Sequence, residues 1–176
     1  MQRIIVIGIP GAGKSTFART LGEQLDLPVF HLDRYFWNPG WKASSREVFN
    51  EKLTQLLEQD RWILDGNYRR TIPLRLQYAD TAVHLDLPRR TAMRRVFKRI
   101  VMYRDGGRPD MADDCPERWF DRDFLRYIWR FHRDVLPEMA DYLREFGDQG
   151  GNVIRLNSDR EAHRWLAAMR RETSGG

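Results

Sequence analysis

Short apolar runs alternate along this chain with segments in which apolar residues recur every three or four positions. Runs rich in isoleucine, valine and leucine predict buried strands at residues 3–7, 28–32, 62–64, 81–87 and 153–156. The segments between them have helical spacing, as in Phe17, Leu21 and Leu25. Strands that alternate with helices are typical of a parallel sheet covered on both faces, so the pattern predicts an α/β fold.

Two helix starts have the serine-to-glutamate spacing of a capping box. Ser44 precedes Glu47 by three residues, and Ser158 precedes Glu161 by the same interval. In each case an apolar helical pattern follows, so we expect a helix to begin at each serine.

The long stretch between the fourth and fifth predicted strands interrupts this alternation. Two helical patterns flank residues 106–117, which are rich in glycine, proline and acidic residues and predict a loop. Pro137 is expected to kink or end the second helix. We therefore predict a single domain over residues 1–176, with a helical, lid-like insertion at residues 91–149.

Composition narrows the class of protein. The chain has 176 residues, 41% hydrophobic and 31% charged, so one domain with a sizeable core is expected and general disorder is excluded. No eighteen apolar residues follow one another, so no membrane-spanning helix is predicted. Cys115 is the only cysteine, which excludes an internal disulfide framework and a four-cysteine zinc site. We expect a cytoplasmic protein.

The clearest chemical signal is the stretch from Gly8 to Ser15, which matches the P-loop pattern G-x-x-x-x-G-K-[ST]. Its glycines allow backbone N–H groups to turn toward an anion, and the following helix directs its positive end at the same point. Lys14 is expected to reach the β- and γ-phosphates of ATP, and the Ser15 hydroxyl to bind Mg²⁺. A strand before the motif and a helix after it supply the context that the pattern requires.

Two aspartates follow predicted strands. Asp65 ends the third strand, where a carboxylate can hold Mg²⁺ directly or through water. Asp33 ends the second strand and can accept a proton from an acceptor hydroxyl or orient the acceptor. Trp37 and Trp41 come shortly after it and can stack on a base or ring. His31 is expected to face inward as a satisfied polar group.

Arginines are the third signal. Residues 89–108 carry eight basic residues against the single Asp105, and the whole chain has a formal net charge of +5. Phosphoryl transfer needs cations that close around the transition state, so we interpret this cluster as a phosphate clamp. Arg95 and Arg99 lie one helical turn apart within it, and Arg104 and Arg108 border the predicted loop.

With these residues, the chain resembles the P-loop kinases of the adenylate kinase-like group. W-I-L-D-G-N-Y-R-R-T at residues 62–71 is similar to the L-D-G-F-P-R-T stretch of adenylate kinases. Arg95 and Arg99 match the spacing of the first two lid arginines. The chain is more closely similar to the DNA topology modulation proteins, through motifs at residues 31–33, 37–41, 65–68, 108–112 and 115–118.

The resemblance implies a parallel sheet of order 2-3-1-4-5, a three-layer P-loop NTPase fold and ATP as the donor. In adenylate kinases the matching aspartate, here Asp65, helps to organise magnesium, and the matching arginine, here Arg69 or Arg70, contacts an acceptor phosphate. This chain departs from them at Asn67-Tyr68 and at residues 31–33. An aspartate at position 33 is similar to that of shikimate and gluconate kinases, in which it faces the acceptor alcohol.

Three functions remain open. The first is an ATP-dependent phosphotransferase with a nucleotide or nucleoside-type acceptor, the second a kinase of a small hydroxyl metabolite, and the third a nucleotide-sensing, DNA-associated regulator. ATP, Mg²⁺ and a small-molecule acceptor are the expected ligands, and nucleic acid is a less favoured partner. The candidate residues are, for catalysis, Lys14, Asp33, Arg95 and Arg99; for the nucleotide, Gly11, Ala12, Gly13, Lys14, Ser15 and Thr16; for the acceptor, Asp33, Arg69, Arg70, Trp37 and Trp41; and for the metal, Ser15 and Asp65.

Overall fold

The computed structural model describes residues 1–103, 115 and 122–174, with side chains through residue 171. The strands are β1 Arg3–Gly8, β2 Val29–His31, β3 Trp37–Asn38, β4 Lys42–Ala43, β5 Trp62–Asp65, β6 Thr81–Leu85 and β7 Asn152–Leu156. The helices are α1 Lys14–Leu25, α2 Leu32–Phe36, α3 Arg46–Leu57, α4 Ile72–Tyr78, α5 Arg89–Met102, α6 Arg122–Asp134, α7 Leu136–Asp148 and α8 Asp159–Ser174, with a 3₁₀ turn at Arg69–Thr71.

Five strands form one parallel sheet of order β2-β5-β1-β6-β7. Counted along the chain, this is the predicted order 2-3-1-4-5. The central strand β1 is buried at every position from Ile4 to Gly8, and its neighbour β5 from Trp62 to Asp65. Side chains alternate between the faces of a strand, so helices must cover both faces, which explains the continuous apolar runs. The α/β prediction is confirmed.

The register of the sheet brings the ends of four strands, β1, β2, β5 and β6, to one edge. Val6 of β1 pairs with Asp65 of β5, Gly8 pairs with Leu85 of β6, and His31 of β2 pairs with Asp65. In open parallel sheets, ligands bind outside the carboxyl ends of the strands. The P-loop and both candidate strand-end segments therefore meet on the same side of the fold.

The second strand is shorter than predicted. It ends at His31, and the short helix α2 begins at Leu32. Asp33 lies in the first turn of α2, where a carboxylate is favoured by the helix dipole, rather than at the end of a strand. After α2 the chain forms a two-stranded hairpin, β3–β4, which the sequence pattern did not predict. Its turn contains Gly40 at a φ of 75°.

Helix boundaries agree with most of the sequence signals. Ser158 accepts a hydrogen bond from the Glu161 N–H at 3.2 Å, as a capping residue does. The cap of α3 is Ser45, not Ser44, and it accepts from the Val48 N–H at 3.3 Å. Helix α6 ends before Pro137 and α7 begins one residue ahead of it, where proline is tolerated in the first helical turn.

The connection from β6 to β7 contains α5, α6 and α7. Helix α7 packs on β7, α4 and α6, and α5 packs on α6. Most of the predicted loop at residues 106–117, with Arg104 and Arg108, lies outside the described residues, so the lid-like role of residues 91–149 stays a prediction. Over the described ranges, no helix combines the length and the apolar character needed to cross a membrane.

Candidate functional site

The P-loop forms a cradle of backbone groups between β1 and α1. Gly11 and Gly13 have φ values of 86° and 89°, a left-handed conformation that favours glycine. A Cβ on Gly11 would lie 2.5 Å from the Ala92 carbonyl oxygen, so this position also lacks room for a side chain. Lys14, the first residue of α1, directs its ammonium toward the carbonyl oxygens of Gly8 and Ile9, at 3.1 and 3.3 Å. This geometry fits an anionic phosphate chain.

The cradle opens into a cavity of about 930 Å³. It extends from the hairpin and α2 on one side to α8 on the other. Twelve of the predicted site residues line it: Gly11, Ala12, Gly13, Lys14, Ser15, Thr16, Asp33, Trp37, Trp41, Asp65, Arg95 and Arg99. The predicted acceptor ligands Arg69 and Arg70 do not line it.

Asp65 sits at the carboxyl end of β5 with its side chain 5% exposed. Its Oδ2 lies 2.8 Å from Nδ1 of His31, the residue beside it across the sheet. His31 is therefore a buried polar group with a partner. Asp65 Oδ1 is buried and hydrogen-bonds to none of the described residues.

This orphaned oxygen is an observation that bears on magnesium. Asp65 and Ser15 line the same cavity and supply carboxylate and hydroxyl oxygens, the donor types that Mg²⁺ prefers. Mg²⁺ usually takes only one or two protein ligands and completes its shell with water and phosphate. The donor set of this chain thus fits a metal bound together with a nucleotide.

Asp33 has a hydrogen-bond partner that the sequence did not reveal. The Tyr68 hydroxyl donates to Asp33 Oδ1 at 2.7 Å. The Tyr68 ring packs against Phe36 and Phe49, at centroid distances of 5.1 and 4.8 Å. Burial, and then the negative charge of Asp33, raise the pKa of Tyr68 far above its ordinary value. The phenol therefore keeps its proton and donates this hydrogen bond at neutral pH.

The loop that carries Tyr68 is fixed from beneath by a fully buried arginine. Arg75 of α4 donates to the Gly66 carbonyl at 2.8 Å and to the Asn67 carbonyl. Burial lowers the pKa of Arg75 to about 9, against the opposing effect of Asp65. Asn67 Oδ1 accepts from the Gly8 N–H at 3.0 Å, which joins this loop to the start of the P-loop.

Arg75 was not among the site residues predicted from the sequence, although its position carries a signal. Arg75 lies three residues after Ile72 and one before Leu76, both of which are buried. An arginine on the apolar face of a short helix needs buried acceptors, and the nearby Asp-Gly-Asn loop supplies backbone carbonyls.

Arg95 and Arg99, which were predicted to clamp phosphates, make different contacts. Arg95 donates to the Ala12 carbonyl at 3.2 Å and pairs with Asp159 at 2.5 Å, so it links the P-loop to the start of α8. Arg99 also lines the cavity, with its guanidinium 5.9 Å from the Phe124 ring centre. Arg95 thus contacts the P-loop directly, whereas Arg99 shares the cavity with it.

Arg69 and Arg70 lie elsewhere. Arg69 pairs with Glu138 of α7 at 3.2 Å and donates to the Asp134 carbonyl at 3.4 Å. Arg70 is exposed in the 3₁₀ turn. In this conformation neither guanidinium serves the cavity that contains Asp33.

Two tryptophans form an aromatic wall on the Asp33 side of the cavity. Trp37 and Trp41 make an edge contact with centroids 5.2 Å apart, and both line the cavity. Trp41 has a φ of 61°, a strained value for a bulky residue of the kind found at functional sites. The buried Cys115 Sγ donates to the Asn38 carbonyl at 3.4 Å and so contacts the same hairpin.

Comparison with known proteins shows which proteins share this fold. No known family profile matches the chain. A shikimate kinase of Leptospira biflexa serovar Patoc, found in two strains, is 36% identical over 78 residues; the match covers 37% of this chain and 42% of the relative. The matched part thus spans less than half the length of these curated relatives.

Solved structures extend the likeness over the whole fold. A presumed kinase from Chloroflexus aurantiacus J-10-fl has a TM-score of 0.56 and 19% identity, with 96% of both chains covered. A shikimate kinase from Bacteroides thetaiotaomicron has a TM-score of 0.52 and 15% identity, with 98% of both chains covered. The chain therefore has the α/β P-loop fold that these proteins share, with a five-stranded parallel sheet.

Proposed function

We propose that this protein is an ATP-dependent phosphotransferase that moves the γ-phosphoryl group of ATP to a hydroxyl of a small acceptor, such as a nucleoside or another hydroxyl compound. One observation carries the proposal. Asp33 and the aromatic wall share a cavity with the P-loop, whereas Arg69 and Arg70 lie outside it. The kinase relatives support the same reaction class.

The donor half of the site rests on the P-loop. Backbone N–H groups of residues 11–16 and the N-terminus of α1 bind the phosphates, and Lys14 turns from its carbonyl contacts to the β- and γ-oxygens. Ser15 and Asp65 would hold Mg²⁺, which when bound neutralises charge on these oxygens. Arg95 and Arg99 stabilise the charge that develops during transfer.

The acceptor half rests on Asp33. The acceptor oxygen attacks the γ-phosphorus as the bond from phosphorus to the ADP oxygen breaks, and Asp33 accepts the hydroxyl proton. Trp37 and Trp41 orient the acceptor by contact with its ring or carbon face. The products are ADP and a phosphate monoester.

An acceptor with its own phosphate is the alternative within this class. It would need Arg69 or Arg70 as a clamp, but Arg69 is paired with Glu138 and both lie outside the cavity. The geometry thus favours an alcohol acceptor over a nucleoside monophosphate. The resemblance to adenylate kinase-like and DNA topology modulation proteins, a nucleic-acid partner and a cytoplasmic location stay predictions from the sequence.

The test is phosphate transfer from γ-labelled ATP, with Mg²⁺, to a panel of nucleosides, small polyols and nucleoside monophosphates. Lys14→Ala serves as the blank. We expect label on at least one alcohol and none on the monophosphates. Label on a monophosphate alone would contradict the proposed acceptor class, and no transfer with ATP still bound would contradict the proposed reaction.

A further inference from the structure

The contact between Tyr68 and Asp33 joins two segments 35 residues apart in the chain. Tyr68 has a φ of 32°, an unfavourable left-handed conformation for an aromatic residue. Conformations of this kind are strained and persist only where the surroundings enforce them. Here Arg75 holds the two preceding carbonyls and Phe36 and Phe49 hold the ring.

We propose that Tyr68 is a positioning residue for the acceptor base, which orients Asp33 and keeps it ionised through the 2.7 Å hydrogen bond. The proposal rests on the proposed function, since it assigns to Asp33 the acceptor proton. Tyr68 acts through Asp33 and takes no proton from the acceptor itself.

The surroundings of the pair show why such a donor matters. Asp33 lies in a cavity lined partly by aromatic and apolar side chains, where an ionised carboxylate needs a hydrogen-bond donor. The groups that act on the Tyr68 hydroxyl are Asp33 of α2, Asp65 of β5 and Arg75 of α4. Arg75 donates to backbone carbonyls, and the Tyr68 phenol donates directly to Asp33.

The hydrogen bond of the Tyr68 hydroxyl can be removed without loss of the packing contacts of its ring. The ring of Tyr68 contributes its contacts to Phe36 and Phe49 through carbon atoms, whereas the hydroxyl alone reaches Asp33. Tyr68→Phe therefore keeps the apolar contacts and removes only the donor. A hydrogen bond to a charged group is worth more than one between neutral groups, so its loss should be measurable.

The experiment compares Tyr68→Phe with Tyr142→Phe as a matched control. Tyr142 also donates to a carboxylate, Glu138 Oε1 at 2.8 Å, but it lies on α7 and does not line the cavity. For each variant we would measure kcat and the KM values for ATP and for the acceptor identified in the panel. The pH dependence of kcat and the melting temperature are measured as well.

For Tyr68→Phe we expect kcat to fall about tenfold with little change in the KM for ATP. The acidic limb of the kcat profile should move upward by about one pH unit, because loss of the donor favours the protonated carboxyl. Tyr142→Phe should move neither quantity. An unchanged acidic limb and kcat in Tyr68→Phe would overturn the proposal.

A readout that needs no turnover separates this proposal from the proposed function. The Asp33 carboxyl carbon is titrated by ¹³C NMR in the wild type and in Tyr68→Phe, with Asp33→Asn used to assign the resonance. A higher midpoint in Tyr68→Phe supports the proposal, and an identical midpoint overturns it. If the wild type phosphorylates no acceptor, both the proposed function and the base role of Asp33 are overturned. If the enzyme is active but the titration midpoint of Asp33 is the same in Tyr68→Phe, only the role of Tyr68 is overturned.

Discussion

At the scale of single residues, the site is built from polar side chains that stand where buried elements end. Lys14 starts α1, Asp65 ends β5 and Asp33 lies in the first turn of α2. Such residues can be predicted from the sequence because the P-loop spacing and the strand ends are local patterns. Their hydrogen-bond partners cannot, because His31 lies 34 residues from Asp65 in the chain and Tyr68 lies 35 residues from Asp33. Those contacts exist only once the sheet has assembled.

Lys14→Ala tests the donor site. The ammonium is the point charge that the P-loop offers to the β- and γ-phosphates, so its loss should weaken ATP binding and lower kcat by on the order of 100-fold. Isothermal titration with ATP and the labelled-phosphate assay measure the two effects. Unchanged binding and turnover would show that the P-loop does not bind the nucleotide.

Asp65→Asn tests the metal site. The amide removes the negative charge but keeps the shape, so the affinity for ATP in the presence of Mg²⁺ should fall about tenfold. Binding of ATP in excess EDTA should change little, because Asp65 is expected to act through the metal. An equal loss of affinity with and without Mg²⁺ would contradict the metal role.

At the scale of elements, the Asp65–Tyr68 loop connects the parts of the site. Its residues contact β2 through His31, the P-loop through the Gly8 N–H and α2 through Asp33. Sequence patterns predicted the strand before this loop but not its anchoring, since Arg75 supports it from α4. They also missed the β3–β4 hairpin, because two-residue strands are too short to show an alternating pattern.

Arg75→Leu tests this anchoring. The change leaves the Gly66 and Asn67 carbonyls without their buried donor, so the free energy of unfolding should fall by about 3 kcal/mol. Arg61→Leu is the matched control, because Arg61 donates to the carbonyls of Leu25 and Asp26 but is exposed. Urea unfolding should give a loss below about 1 kcal/mol for the control, and equal losses would contradict the anchoring role.

At the scale of the whole molecule, the parallel sheet fixes where chemistry can occur. A parallel sheet covered on both faces could be predicted because β1 and β5 are buried on both faces and their sequences are mostly apolar. The strand order came from the resemblance to P-loop kinases. The acceptor arginines were the weaker inference. Arg69 and Arg70 follow the loop directly, but both lie in a 3₁₀ turn outside the cavity, and Arg69 pairs with Glu138 of α7.

One buried histidine in the sheet makes the stability of the fold depend on pH. His84 of β6 is 2% exposed, and its Nε2 has no hydrogen-bond partner among the described residues. Burial lowers the pKa of His84 to about 4, with Asp86 opposing and Arg155 and His132 adding to the effect. Between about pH 6.5 and 4 the unfolded chain binds a proton that the folded chain does not, so stability falls as pH falls through this window.

His84→Leu should remove that dependence. The wild type should lose about 3 kcal/mol of unfolding free energy through this residue between pH 7 and pH 4, and His84→Leu should lose correspondingly less. His163→Leu, an exposed position on α8, is the control and should keep the wild-type slope. Urea unfolding at several pH values measures the slopes, and parallel curves for wild type and His84→Leu would contradict the account.

The central claim is that the acceptor is a hydroxyl compound held at Asp33, opposite the P-loop. It is tested most directly by kcat/KM for the acceptor in Asp33→Asn and in the double variant Arg69→Ala, Arg70→Ala. We expect Asp33→Asn to lose on the order of 100-fold or more and the double variant to lose less than about threefold. The reverse pattern, with the arginines essential and Asp33 dispensable, would contradict it.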